Sequence, residues 1–188
     1  LKENMKPKLY IVTGNSLKFR ELSARLNEFF DCEQKDWYEP EIQGTPEEII
    51  KHKVKLAYEK FKHPVLVDDG AVGFAQLKGF PGPYIKDFLK CFSTYEMGVK
   101  FVGDRVSGSC FLGLCRGEGD IVIVEGTVGG NVVMPKNIDA GTREFDLFIQ
   151  VDGTDRPMIE FSTEEKNKFS HRGRAMDKLI EILEKEEK

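Results

Sequence analysis

The chain has 188 residues, of which 40% are hydrophobic and 32% charged, and its formal net charge is −4 at neutral pH. The length fits a single domain over residues 1–188, and the composition is that of an ordinary globular protein. The acidic balance argues against a nucleic-acid-binding face, and the lack of an 18-residue apolar run argues against a membrane span.

The first third of the chain predicts alternating strands and helices. Residues 8–13 are a short β-rich run that predicts a buried strand, and leucine and phenylalanine then recur at helical spacing over residues 16–30. A second short strand is expected within residues 32–44. The run Thr-Pro-Glu-Glu at 45–48 has the cap, the proline and the glutamate of a helix start. That helix ends at a proline, and a strand over residues 65–67 follows.

The rest of the chain adds two short helices, a hairpin and a last helix. The short helices are predicted over residues 84–92 and 94–102. Residues 109–116 and 121–133 are typical of strands, and the Gly-Glu-Gly-Asp turn between them predicts an antiparallel hairpin. An apolar stripe around Leu179 predicts the final helix. The elements together indicate a mixed α/β domain whose outer strands are partly antiparallel.

The segment TGNSLKF, residues 13–19, places a glycine turn between a strand and a helix. Backbone N–H groups at a helix start favour an anion, and Lys18 opposes the helix dipole unless an anion neutralises it. One interpretation is therefore a phosphate site, and the other is an ordinary turn with a surface lysine.

Two adjacent acids, Asp68 and Asp69, come at the predicted end of a strand, and Gly70 follows them. Carboxylate oxygens are the ligands that Mg²⁺ prefers, and a metal-bound water beside a carboxylate is a nucleophile for phosphoryl chemistry. Because neighbouring residues on a strand point to opposite sides, only one acid is expected to face a given site. Glu41 is a further candidate ligand. The alternative is a polar turn without a ligand.

Two later segments carry cations in unusual surroundings. GFPGPYIK, residues 79–86, has two glycines and two prolines within five residues, which predicts a turn of defined shape that presents Lys86. STEEKNKFSHRGRA, residues 162–175, collects lysine, histidine and arginine just before the last helix, and these side chains suit phosphate or a base edge. The alternatives are a turn that only packs and a solvated face.

Together the segments resemble the motifs of the inosine/xanthosine triphosphate pyrophosphatases, which remove deaminated purine nucleotides. The resemblance covers nearly the whole chain and keeps TGNSLK, VDDG, GFPGPYIK and EEKNKFSHRGRA in order. It implies an elongated, two-lobed α/β fold with a central mixed sheet flanked by helices and an active-site cleft between the lobes. It also implies Mg²⁺-dependent hydrolysis of ITP, dITP and XTP to the monophosphate and pyrophosphate, with Mn²⁺ as a substitute metal.

The same resemblance assigns roles by position. Asp69 would be the proton acceptor and, with Glu41, a metal ligand, and Lys18 and Asp68 would complete the catalytic group. The substrate contacts would be Thr13, Gly14, Asn15, Lys18, Lys53, Gly70, Lys86, Phe145, Asp146, Lys166, His171 and Arg172. Phe145, Asp146 and the His171–Arg172 pair would recognise the base. The enzyme would be a cytoplasmic homodimer, which the lack of a signal peptide and of a cysteine-rich pattern also favours.

The chain departs from the family pattern in two places. The family commonly has Phe-Gly-aromatic-Asp-Pro where this sequence reads Arg143-Glu144-Phe145-Asp146-Leu147, and Gly70 stands in place of a threonine. Two alternatives therefore stay open, namely a pyrophosphatase of a different or broader nucleotide class and a nucleotide-binding module without turnover. Residues 1–4, before Met5, are interpreted as added residues or a truncated upstream end.

Overall fold

The structure is a computed structural model, and it describes residues 6–38, 40–134 and 145–186. Within these ranges the strands are β1 (Lys8–Val12), β2 (Asp31–Lys35), β3 (Val65–Phe74), β4 (Pro81–Gly82), β5 (Arg105–Gly117), β6 (Asp120–Val132) and β7 (Ile149–Val151). The α-helices are α1 (Ser16–Leu26), α2 (Pro46–Phe61), α3 (Ile85–Cys91), α4 (Thr94–Lys100), α5 (Thr163–Phe169) and α6 (His171–Glu186). None of these helices is long and apolar enough to cross a membrane.

The strands form one mixed sheet in the order β2-β1-β3-β5-β6-β7, and β4 pairs with β3. β1 runs parallel to β2 and to β3, whereas β4 and β7 run antiparallel to β3 and β6. The two residues between β5 and β6 make these strands a hairpin. The predicted α/β fold with a mixed central sheet is confirmed.

The chain divides into two compact units. The described residues up to Asp69, together with Phe111–Glu125 and the chain from Ala175 onward, form the first unit. Gly70–Cys110 and the described part of Gly126–Arg174 form the second. Strands β3, β5 and β6 each contribute residues to both units. The single domain and the cleft between two lobes stay predictions.

The first unit is centred on the packing of α2 against the sheet. Thr45 and Glu48 form the predicted capping box, in which the Thr45 hydroxyl accepts from the Glu48 N–H at 3.3 Å and the Glu48 carboxylate accepts from the Thr45 N–H at 2.8 Å. The helix then buries Val54 and Ala57 against Val65 and other strand residues. Burial of each valine stabilises the unit by roughly 1.5–3 kcal/mol, so packing and the cap together define this helix.

The second unit has an aromatic core of its own. The ring of Phe74 stacks on that of Phe101 at 4.4 Å between centroids and lies 6.2 Å from that of Phe148. Met97 of α4 and Val128 of β6 are buried in the same cluster. The short helices α3 and α4 are therefore held by aromatic packing more than by their own length.

The strand that carries the two acids is longer than predicted. The sequence predicts a strand over residues 65–67, whereas β3 continues to Phe74, so Asp68–Gly70 lie inside the strand and not at its end. The reason is that pairing and burial continue beyond the acids. Val72 pairs with β4 and is buried, and Phe74 is fully buried.

Two helix predictions are also corrected. The first helix ends at Leu26 and does not extend to Phe30. Phe30 is buried in the core, but it lies after the helix, so its apolar side chain reflects burial and not helical spacing. The cationic segment does not simply precede the last helix. It forms α5, which a Ser162–Glu165 capping box begins, and then the first turn of α6.

Candidate functional site

The turn after β1 is built around Asn15. Its side-chain oxygen accepts from the N–H groups of Leu17 at 2.9 Å and Lys18 at 3.2 Å, and thereby caps α1. The Thr13 hydroxyl accepts from the Asn15 N–H at 3.1 Å and tightens the same turn. The Asn15 side chain already accepts hydrogen bonds from two N–H groups of the first helical turn. The positive charge available to an anion at this turn therefore comes mainly from the Lys18 side chain.

Lys18 and Asp68 form one lysine–carboxylate pair of the first unit. The Lys18 Nζ lies 2.8 Å from the Asp68 Oδ2, and the Asp68 side chain is only 3% exposed against 28% for Lys18. A buried carboxylate needs such a partner, because an unpaired charge there would be costly. Asp68 therefore serves to balance and orient Lys18.

Lys53 of α2 joins the two predicted metal ligands. Its Nζ lies 3.0 Å from the Glu41 Oε1 and 3.4 Å from the Asp69 Oδ1. All three side chains are largely buried, at 20% exposed for Lys53, 18% for Glu41 and 7% for Asp69. The adjacent acids thus point to different lysines, as expected for neighbours on a strand.

The electrostatics of this group favour its charged form. Burial lowers the pKa of Lys53, but the nearby charges of Asp69 and Glu41 outweigh it, and the net result is a raised pKa. We term Glu41, Lys53 and Asp69 the carboxylate–lysine cluster. The raised pKa keeps the Lys53 ammonium charged between the two carboxyl groups.

The donor set of the cluster is suitable for a hard divalent cation. Two carboxylates supply the oxygen ligands that Mg²⁺ prefers, and no third histidine, cysteine or acid completes a metal group in the described ranges. Mg²⁺ is commonly held by one or two carboxylates together with substrate phosphates and water. The residues therefore fit a metal that arrives with a polyphosphate.

One acid near the turn was not singled out from the sequence. A Cβ on Gly14 would lie 2.8 Å from the Asp36 Oδ1, so the Asp36 carboxylate packs directly against this glycine. Asp36 follows β2 as Thr13 follows β1, and these two strands are parallel and in register. Parallel strands end at the same edge of a sheet, so an acid directly after β2 could have been predicted to lie near Thr13. The sequence did not define where β2 ends, and Asp36 was therefore missed.

In the second unit, residues 79–86 form the predicted shaped turn. Gly79 and Gly82 have positive φ angles of 90° and 57°, and Lys86 is the second residue of α3. A Cβ on Gly73 would lie 2.7 Å from the Gly79 carbonyl oxygen, which shows how tightly the turn packs on β3. Asp104 also supports this region, because its carboxylate accepts from the Gln76 N–H at 3.0 Å.

The cationic segment and the residues predicted to recognise the base meet at Lys166. The Lys166 Nζ lies 2.8 Å from the Asp146 Oδ2, and both side chains are mostly buried. Phe145 packs edge-on against Phe148, with 6.2 Å between ring centroids, so part of its ring contributes to the core. The neighbouring Arg143 and Glu144 lie outside the described residues.

His171 and Arg172 occupy the first turn of α6. Ser170 caps this helix, since its hydroxyl accepts from the Gly173 N–H at 3.1 Å. A Cβ on Gly173 would lie 2.1 Å from the Asn167 carbonyl oxygen, so the α5–α6 corner requires glycine. The corner therefore positions the helix turn from which the His171 and Arg172 side chains extend.

The structure thus brings the predicted residues together in two groups. In the first unit these are Thr13, Gly14, Asn15, Lys18, Glu41, Lys53, Asp68 and Asp69. In the second unit Asp146 and Lys166 pair directly, whereas Gly70 lies on β3, Lys86 on α3, Phe145 just before β7, and His171 and Arg172 on the first turn of α6. The contacts of each residue with substrate stay predictions.

Comparison with known proteins gives a consistent result. The sequence pattern of the Ham1 family matches residues 9–182. The chain is 35% identical over 184 residues to the inosine triphosphate pyrophosphatase of Schizosaccharomyces pombe, covering 95% of this chain and 96% of that protein. It is also 35% identical over 181 residues to the inosine triphosphate pyrophosphatase of Aspergillus fumigatus, covering 94% and 95% of the two chains.

Solved structures show the same fold. A HAM1 protein from Coxiella burnetii matches with a TM-score of 0.79 and 22% identity, covering 95% of this chain and 99% of that chain. The Ham1 protein of Staphylococcus aureus matches with a TM-score of 0.72 and 22% identity, covering 95% and 100%. At these identities the likeness concerns the fold of the backbone.

Proposed function

The chain belongs to the Ham1 family, and we propose that it hydrolyses non-standard purine nucleoside triphosphates, namely ITP, dITP and XTP. The products are the nucleoside monophosphate and pyrophosphate, so the enzyme cleanses the nucleotide pool. Its named relatives support the substrate class. The observation that carries the chemistry is the carboxylate–lysine cluster, in which two mostly buried acids provide oxygen ligands beside a lysine cation.

We assign the proton-accepting role to Asp69. Its side chain is buried on β3, which restricts its orientation as a base that must meet an incoming water requires, and its Oδ1 lies 3.4 Å from the Lys53 ammonium. The Asp69 carboxylate takes the proton of the water that attacks the α-phosphorus. Lys18 and Lys53 then stabilise the charge that develops on the phosphate oxygens, which is the usual main contribution in phosphoryl transfer.

We propose Mg²⁺ as the metal, with Mn²⁺ as a substitute. Glu41 and Asp69 would hold it, and when bound it neutralises charge on the phosphates and lowers the pKa of water. Asp68 is not assigned as a ligand, because its Oδ2 pairs with Lys18 on the other side of the strand.

For the second unit we retain the assignments that the resemblance implies. His171 and Arg172 donate hydrogen bonds to the 6-keto oxygen of the purine, and Phe145 and Asp146 complete base recognition. Lys86, Lys166 and Gly70 remain substrate contacts. A purine with a 6-amino group would place its N–H donors opposite the donors of His171 and Arg172. Each donor left unpaired costs about 1–3 kcal/mol, which corresponds to roughly a tenfold to hundredfold preference for the 6-keto purine.

We further propose that the enzyme is a cytoplasmic homodimer that binds neither nucleic acid nor membrane. Exposed apolar side chains on the second unit, including Val99 and Val102, are compatible with a protein interface. Analytical ultracentrifugation over a concentration series decides the oligomeric state.

Metal removal and product analysis test the proposed reaction. With Mg²⁺ present, ITP should give IMP and pyrophosphate in equal amounts, as measured by anion-exchange chromatography and a coupled pyrophosphate assay. Excess EDTA should abolish both products, and added Mg²⁺ should restore them. Formation of IDP and phosphate, or full turnover in EDTA, would contradict the proposal.

A further inference from the structure

The carboxylate–lysine cluster has a property that its assigned role in catalysis does not require. The Lys53 Nζ contacts an oxygen of each predicted metal ligand, at 3.0 Å for Glu41 and 3.4 Å for Asp69. A divalent cation at this site would bind oxygens of the same two carboxylates. A cation bound by both carboxylates would therefore meet an ammonium group within a few ångströms, in partly buried surroundings where like charges repel strongly.

The Lys18–Asp68 pair of the same unit provides a contrast. Lys18 contacts Asp68, which lies on the opposite side of β3 and is not a predicted ligand. Both lysines balance a buried acid, but only Lys53 reaches both predicted ligands. The two lysines therefore differ: Lys18 contacts an acid that is not a predicted metal ligand, and Lys53 contacts both predicted ligands.

We propose that Lys53 competes with the divalent cation for Glu41 and Asp69, and that it thereby couples metal binding to phosphate binding. The inference rests on the proposed function in taking these two acids as the ligands. When a polyphosphate enters, its oxygens offer the Lys53 ammonium a new anionic partner. Lys53 then leaves the two carboxylates without losing an ion pair, and the carboxylates become available to the metal.

The coupling has a direct consequence for the order of binding. Metal alone binds weakly because it must displace a paired ammonium, whereas metal and triphosphate together give both the carboxylates and the Lys53 ammonium a partner of opposite charge. By linkage, metal strengthens polyphosphate binding by the same factor that polyphosphate strengthens metal binding. The chain would therefore take up its substrate as a metal–nucleotide complex and discriminate against free metal.

Titration with Mn²⁺ alone tests this idea, because free Mn²⁺ is counted directly by electron paramagnetic resonance. We expect Lys53→Met, in the absence of nucleotide, to bind Mn²⁺ at least tenfold more tightly than the unaltered chain. Hydrolysis of ITP by the same variant should fall, because the phosphate contact is lost. Tighter metal binding together with weaker catalysis is a combination that a purely structural or purely catalytic lysine would not produce.

Two further variants provide the controls. Lys51→Met removes an exposed cation of the same helix and should leave the Mn²⁺ affinity within about twofold of the unaltered chain, because an exposed charge is largely screened. Lys53→Gln serves as a second test if Lys53→Met does not fold. Lys53→Arg keeps the cation and should keep the weak affinity. Unchanged or weaker Mn²⁺ binding in folded Lys53→Met and Lys53→Gln would overturn the proposal. ITP hydrolysis by the unaltered chain tests the proposed function separately.

Discussion

Replacement of Asp69 by asparagine is expected to lower pyrophosphate release from ITP by about 10³-fold or more. Asparagine has nearly the same shape, so the buried position of the side chain is retained. It cannot accept the proton of water at neutral pH, and it is a weaker ligand for a hard cation. The Lys53 ammonium keeps its contact with Glu41, at 3.0 Å, so the surroundings do not lose their only counter-charge.

The measurement is kcat for ITP with Mg²⁺, together with a thermal melt that establishes folding. Asp87→Asn is a matched control, because Asp87 is an exposed acid of α3 that pairs only at the surface with Lys90. It should leave both kcat and the melting temperature unchanged. A folded Asp69→Asn protein with the kcat of the unaltered chain would remove Asp69 from the mechanism.

Replacement of Gly173 by alanine is expected to destabilise the protein by about 2 kcal/mol, although alanine is the better helix former by about 1 kcal/mol. Destabilisation is expected because of the close packing at the corner between α5 and α6. The new Cβ would lie 2.1 Å from the Asn167 carbonyl oxygen, and a backbone oxygen cannot rotate away as a side chain can. The loss should lower the melting temperature by roughly 4–8 °C for a chain of this size.

The same substitution should change substrate selection. His171 and Arg172 immediately precede Gly173, so a shifted corner moves both predicted base contacts, and the preference for ITP over ATP should fall. Gly117→Ala is the matched control, because a Cβ there meets nothing within 4 Å. If Gly173→Ala melts at or above the temperature of the unaltered chain, the close contact at this corner is not present in solution.

Local signals predicted much of the fold. The capping box of α2, the proline at its first position and the glycine-rich turn before α3 depend on residues a few positions apart, and each was predicted correctly. The length of β3 was not predicted correctly, because its continuation depends on pairing with β4 and on burial of Val72 and Phe74. Those contacts are made by distant parts of the chain and leave no local pattern around Asp68 and Asp69.

The candidate site shows the same division. The residue types of the site could be taken from motifs, but their partners could not. That Lys53 contacts Glu41 and Asp69, whereas Lys18 contacts Asp68, depends on how α1 and α2 are placed against β3. The motifs predict Asp68 and Asp69 as one catalytic group, and the side-chain geometry adds that each of them contacts a different lysine.

The most direct test of the central claim is the rate of pyrophosphate release from ITP, XTP, GTP and ATP at equal subsaturating concentrations with Mg²⁺. The proposed function predicts that ITP and XTP are hydrolysed at least ten times faster than ATP, because the 6-keto oxygen accepts the hydrogen bonds that a 6-amino group cannot. GTP shares the keto group, so slow hydrolysis of GTP would be due to its 2-amino group. Equal rates for ITP and ATP, or no release from ITP by the folded protein, would contradict the proposal.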